Sequence, residues 1–199
     1  MKGGNELLIS REKYLAAGVH VSGRYRTKFM KEFIFRIRND GLSILDIRKI
    51  DERLRIAAKF LAQFSPNEIL VVGRRDTCKN PLEKFSEVTG IKTITGRYLP
   101  GTLTNPSHEE VYMEPKVILI CDPWIDRVAL QDALKVNIPI IALCDANTTP
   151  SNIDLIIPCN NKSRKSLALI FWLLAREFLK LKGAIKKDED FKYEVKDFM

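Results

Sequence analysis

Apolar residues along the chain gather into short, nearly continuous runs: "LSILDI" from 42, "EILVVG" from 68, "VILICD" from 117, "PIIALCD" from 139 and "DLIIPC" from 154, with a weaker "IKTIT" from 91. Strands covered on both faces have this pattern, because neither face meets water. Between the runs the period changes to that of a helix. "IDERLRIAAKFLAQF" from 50 places Leu54, Ala57, Ala58, Leu61 and Phe64 on one stripe, and "NPLEKFSEVTG" from 80 opens with Asn-Pro and stops at Gly90. "RVALQDALKVN" from 127 is a third helix. The last follows "NNKS", with Ser163 at its cap, and runs through "RKSLALIFWLLAREFLKLK" to Gly183. Apolar positions nearly encircle its middle, which places Trp172 in the core. Strands and helices alternating in this way predict a three-layer α/β/α domain with a doubly wound parallel sheet and right-handed crossovers. The expected organisation is one α/β domain over 1–185 with a basic N-terminal extension, followed by a charged tail, 186–199. The tail has no sustained helical stripe and is expected to stay extended or disordered until it meets a protein or a basic surface, with a neighbouring protein as the expected partner.

Composition narrows the class. A chain of 199 residues buries a substantial core without disulfides or metal. Its 33 Lys and Arg against 25 Asp and Glu leave a charge of +8, which favours phosphate-bearing polymers or acidic membrane surfaces. Residues 11–55 hold 12 of the basic and 6 of the acidic side chains, while the closing "DEDFKYEVKDFM" is acidic, so the basic excess belongs to the folded part. Cys78, Cys121, Cys144 and Cys159 form no C-x-x-C pair and read as reduced, buried thiols rather than a zinc site. The longest apolar run, "LALIFWLLA", is about half of what a membrane crossing needs, and the first residues show no apolar stretch behind a basic start. A cytoplasmic protein is expected, without membrane contact.

In a doubly wound sheet, ligands bind beyond the carboxyl ends of the strands. The segments there read "RK" at 48, "GRRDTCKNP" at 73, "GRYLPGTLTNP" at 96, "DPWIDR" at 122, "DANTTP" at 145 and "NNKSRK" at 160. An enzyme would place a phosphate-cradling glycine turn or a nucleophile with its base among them. Gly73 stands alone without G-x-G-x-x-G or a Walker lysine, His20 and His108 lack carboxylates or thiols at metal-ligand spacing, and Asp122 and Asp145 read as turn caps. Catalytic residues, metal and cofactor are all expected to be absent.

Cations dominate instead. "GRYRTKFMKEFIFRIRNDG" interleaves Arg24, Arg26, Lys28, Lys31, Arg36 and Arg38 with Tyr25, Phe29, Phe33 and Phe35, which suits phosphate contacts beside stacking surfaces. Phe33 and Phe35, next to Ile34 and Ile37, read as packing residues. Candidate RNA contacts are Arg24, Arg26, Lys28, Arg36 and Arg38, then Arg48, Lys49, Arg74, Arg75, Lys79 and Arg97. Asn160, Asn161, Lys162, Arg164 and Lys165, at a helix start where backbone N–H groups also attract anions, complete the set. "GRYLPGTLTNP" cannot be helix or central strand, and Pro100-Gly101 reads as the centre of a type II turn.

The stretches "AAGVHVSGRYRTKFM", "FIFRIRNDGLSILDIRKIDERLRIAAKFLA", "TGIKTITGRYLPGTLTNP", "PKVILICDP" and "IPCNNKSRKSLALIFWLLAREFL" closely resemble, in collinear order from about residue 14 to 183, the ribosomal protein S-two family of the small subunit. That family includes the eukaryotic protein SA or laminin-receptor precursor. The compact form, without the helical hairpin inserted in bacterial members, is similar to the archaeal branch. The resemblance implies a flavodoxin-like sheet, no catalysis, and a structural place in the small subunit near the junction of head and body. Its implied partners are small-subunit ribosomal RNA and neighbouring ribosomal proteins. The competing expectation, on the same architecture, is a nucleotide- or phosphosugar-binding enzyme; it needs a closed pocket and a tuned acid or base where the ribosomal reading needs dispersed cations.

Overall fold

The computed structural model describes residues 7–199. Five strands form one parallel sheet: β3 (Ile69–Gly73), β4 (Lys92–Thr95), β5 (Val117–Ile120), β6 (Ile140–Cys144) and β7 (Leu155–Pro158), in the spatial order β4-β3-β5-β6-β7. Counted within the sheet this is 2-1-3-4-5, the flavodoxin-like order, with the switch point beside β3. Five of the six apolar runs are these strands. β3, β5 and β6 are buried at every position, as continuous apolarity requires, whereas edge strand β4 is only half-covered.

The sixth run behaves differently. "LSILDI" contributes β2 (Ser43–Leu45), which pairs antiparallel with β1 (Ile34–Ile37) in a separate hairpin. The overlooked signal is "RNDGL": Gly41 N–H donates to the Arg38 carbonyl at 2.9 Å and Asp40 accepts from Leu42 N–H at 3.1 Å, closing a tight turn.

Helices α1 (Arg11–Ala17), α2 (Ile47–Leu61), α3 (Asp76–Thr89) and α5 (Arg164–Leu181) pack together with α5 at their centre, while α4 (Arg127–Lys135) packs on β5. Right-handed crossovers explain the split: the step from β3 back to β4 sends α3 to one face, and the forward steps send α4 to the other. α3 starts four residues before the Asn80-Pro81 expected to open it. Pro81 removes one backbone bond, but Asp76 favours the N-terminal dipole, and buried Cys78, Leu82 and Phe85 hold the turn in place. Gly73, where β3 ends against α3, tolerates no side chain: a Cβ there would stand 2.7 Å from Leu82 Cδ1 and 2.9 Å from Cys121 Sγ. Close packing, not phosphate binding, accounts for that glycine. The four cysteines are free and buried.

The segment after Gly183 is not extended away from the domain. Phe191 and Phe198 are buried, residues 195–198 pack as a 3-10 turn on α3 and α5, and Trp172 Nε1 donates to the Tyr193 carbonyl at 2.7 Å. Trp172 is therefore half-buried beneath this segment, its ring edge-on to Phe191 at 5.8 Å, rather than sealed within the helical core. At the other end of the chain, Leu8 N–H donates to Asp51 at 2.7 Å and the Leu8 carbonyl accepts from Arg176 at 3.0 Å.

Candidate nucleic-acid interface

Parallel strands put every carboxyl end on one side, and the helices that follow β3, β5 and β7 begin there with their positive dipole ends. α2 begins there too, because its far end leads into the amino end of β3. This rim is where the candidate cations must be judged. Across it lies the segment from Gly18 to Lys28. The Val19 carbonyl accepts from Asn160 N–H at 2.9 Å, and Thr27 donates its N–H to the Ala146 carbonyl at 2.9 Å and its hydroxyl to the Thr148 carbonyl at 2.9 Å. Between these anchors Ser22 Oγ donates to the buried carboxylate of Asp145, which also receives Lys162 Nζ at 2.7 Å and Ala146 N–H at 2.8 Å.

The clamped segment presents its cations outward. Arg24, Arg26 and Lys28 are exposed with no ion pair among the described residues, and Tyr25 between them is 84% exposed. Phe29 and Phe35 are exposed as well, whereas Phe33 is buried under Lys49 and Arg53. The packing expectation therefore holds for Phe33 and fails for Phe35, because β1 belongs to a two-stranded hairpin with one face left open. Arg36, Arg48, Arg74, Lys79, Arg97, Arg164 and Lys165 are likewise exposed and unpaired among the described residues.

Other candidates serve the fold. Arg75 donates Nε and Nη2 to Asp122 Oδ2 at 2.9 and 2.6 Å, and Asp122 Oδ1 accepts Trp124 N–H at 3.0 Å, so this pair clamps the turn after β5. Lys162 neutralises Asp145 and Lys49 donates to the Glu32 carbonyl. Arg38 pairs with Asp40 at 3.2 Å, an exposed contact of small energetic weight. Asn161 is buried, its amide donating to the Cys121 and Leu143 carbonyls at 3.2 and 3.1 Å, which ties the ends of β5 and β6 together and leaves no surface to offer RNA. Asn160 Oδ1 accepts from Lys162 and Ser163 N–H at 3.0 and 3.2 Å, fixing the turn that leads into α5, whereas the Ser163 side chain makes none of the capping hydrogen bonds expected of it. Trp124 and Arg127, both exposed in "DPWIDR", lie outside the candidate set because that motif reads in sequence as a turn capped by its aspartates.

"GRYLPGTLTNP" is built into the fold. No helix covers the crossover from β4 to β5, and this loop takes its place, burying Tyr98, Thr102 and Leu103. Gly101 has φ +97°, and Thr102 N–H donates to the Leu99 carbonyl at 3.3 Å, as a type II turn requires. Buried Asp132 of α4 accepts Gly101 N–H at 3.0 Å and Tyr98 Oη at 3.3 Å. Burial and the Asp132 charge push the Tyr98 hydroxyl pKa up, keeping it a donor. Arg97 stands exposed at the loop's start.

One carboxylate on the rim is tuned. Asp126 is 3% exposed, and neither oxygen meets a donor at hydrogen-bonding geometry. Burial pushes its pKa up to about 6 from the ordinary 3.8, and the nearby Arg74 backbone, which favours the charged form, offsets only part of that cost. The folded state holds this proton more tightly than the unfolded chain does. Asp126 therefore costs no stability below about pH 3.8, and its full cost, about 3 kcal/mol, is present above about pH 6. Asp126→Asn is expected to stabilise the domain by about 1–3 kcal/mol at pH 8, with the gain vanishing near pH 4. Paired denaturant titrations at the two pH values check this; an equal effect at both refutes it.

An enzyme would need that group open to a substrate. Asp126 is enclosed, and its neighbour Asp122 is consumed by Arg75. A cavity of about 320 Å³ lies at the opposite side, lined by Asn67, Ile69, Lys92, Tyr112 and Glu114 near the amino ends of β3 and β4. Fold and rim together define a doubly wound α/β protein whose rim exposes unpaired arginines and lysines. The ribosomal protein S2 family model matches residues 14–114 and 106–180. A protein of Nanoarchaeum equitans called small ribosomal subunit protein uS2 is 55% identical over 193 residues, covering 97% of this chain and 96% of the relative. Proteins of the same name from Thermoplasma acidophilum and Staphylothermus marinus are 53% and 52% identical, covering 97% of this chain and 96% and 87% of their own lengths. The chain belongs to the ribosomal protein S2 family.

Proposed function

We propose that this protein is a structural constituent of the small ribosomal subunit, holding ribosomal RNA on the carboxyl rim of its sheet and docking against neighbouring ribosomal proteins. It works in the cytoplasm as part of the ribosome, without catalysis, cofactor or small-molecule substrate. No helix among the described residues is long and apolar enough to cross a membrane. The observation that carries the reading is the clamped segment from Ser22 to Thr27, whose fixed backbone presents unpaired Arg24 and Arg26 around an open Tyr25 ring. Arg36, Arg48, Arg74, Lys79, Arg97, Arg164 and Lys165 extend this cationic surface. Arg75, Lys162, Asn160 and Asn161 shape it from within.

Phosphate contacts release condensed counterions, so affinity for small-subunit ribosomal RNA is expected to fall by about a thousandfold between 50 and 200 mM salt if roughly six contacts form. Arg24→Ala with Arg26→Ala should flatten the logarithmic salt slope by about two. Filter binding across salt measures both. A flat response, or saturable binding of a mononucleotide insensitive to salt, refutes the reading.

A further inference from the structure

Trp124 is the more exposed of the two tryptophans, and the function described above does not use it. The residue is 76% exposed, although its backbone N–H is held. Pro123 is buried before it, Asp122 Oδ1 accepts its N–H at 3.0 Å, and Arg75 holds Asp122 through the second carboxylate oxygen. The turn sits directly after β5, beside the Arg74-Arg75 turn that follows its neighbour β3. A fixed backbone projecting an uncovered indole is an amphipathic surface without a partner.

The charge around it selects the partner. Arg74 and Arg127 are exposed and unpaired among the described residues, Asp122 and Asp126 are buried, and Asp76 is the single exposed carboxylate in these two turns, which leaves a cationic excess. The solvent-facing field at the indole is therefore positive. A ligand that brings negative charge and a flat π-face together fits this site, and single-stranded nucleic acid has both. We infer that Trp124 is a stacking platform for an unpaired base of RNA, with Arg74 and Arg127 holding the flanking phosphates. This inference rests on the RNA-binding reading given above and adds to it a non-electrostatic contact.

The test uses the full chain and an unstructured, mixed-sequence single-stranded RNA. Stacking contributes about the same at any salt, so Trp124→Ala is expected to weaken binding roughly tenfold while leaving the salt slope unchanged, and Trp124→Phe to retain most of the affinity. Saturating RNA should also change the tryptophan fluorescence of the wild type, and that change should be missing in Trp124→Ala, leaving Trp172 as the silent reporter. Wild-type affinity in Trp124→Ala overturns the stacking assignment and leaves the RNA reading intact. So does indole fluorescence that ignores RNA but responds to purified small-subunit proteins, which makes Trp124 a protein contact. Failure of the wild type to bind any RNA overturns both readings together.

Discussion

Phe198→Ala is expected to destabilise the isolated domain by about 3–5 kcal/mol, the usual result of emptying a buried aromatic site. Phe198 has no exposed surface and lies where residues 195–198 meet α3 and α5. Around it, Asn80 Nδ2 donates to the Met199 carbonyl at 3.0 Å, and Lys84 Nζ stands 4.9 Å from the centre of the Tyr193 ring. Removing residues 186–199 deletes all of these, takes the partner from Trp172 Nε1, and uncovers Trp172 and the surfaces of α3 and α5 on which residues 195–198 pack. The truncated domain should lose at least as much as Phe198→Ala. A protein of this size shifts its unfolding temperature by about 2–4 °C per kcal/mol, so differential scanning calorimetry should show a fall of roughly 10 °C for the point variant. An unchanged midpoint in both variants would mean that the segment adds nothing to the domain.

Gly101→Val should damage the protein far more than Arg97→Ala, four residues earlier in the same loop. Gly101 has φ +97°, a region closed to a β-branched residue, and an added Cβ would stand 3.3 Å from Asn105 Cβ. Relieving either strain moves the Gly101 N–H off Asp132 and its carbonyl off Asn105 N–H, now 2.8 Å away. The strain alone is worth about 1–3 kcal/mol, and loss of the Asp132 anchor loosens the loop that covers one sheet face. Arg97→Ala removes one exposed cation, so RNA affinity should drop only modestly and the salt slope by about one. Reconstitution of small subunits with each variant, alongside circular dichroism, separates the two. If Arg97→Ala blocks incorporation while Gly101→Val is tolerated, the loop is a single-contact anchor and its shape is incidental.

Five parallel strands, three of them buried at every position, and the helices between them could be read from the chain because burial on both faces, or along one stripe, leaves a local periodic mark. The type II turn at Pro100-Gly101 was equally legible, since proline and glycine restrict φ by themselves. Family membership was legible for a different reason: the resemblance rests on many collinear residues, not on any one contact. What tertiary structure decided was every matter of partnership. "LSILDI" has the composition of a sheet strand, yet it pairs in the hairpin because the "RNDGL" turn brings β1 beside it first. Fourteen terminal residues without periodicity still dock, because Phe191 and Phe198 fill space on α3 and α5 that no local pattern describes. Free and committed cations look alike in sequence. Arg74 and Arg75 are adjacent, but only Arg75 meets Asp122, 47 residues away, and Lys162 is spent on an aspartate that also holds Ser22 from 123 residues away. Charge is a property of one residue, whereas whether that charge is left over for RNA depends on which distant carboxylate the fold carries up to it.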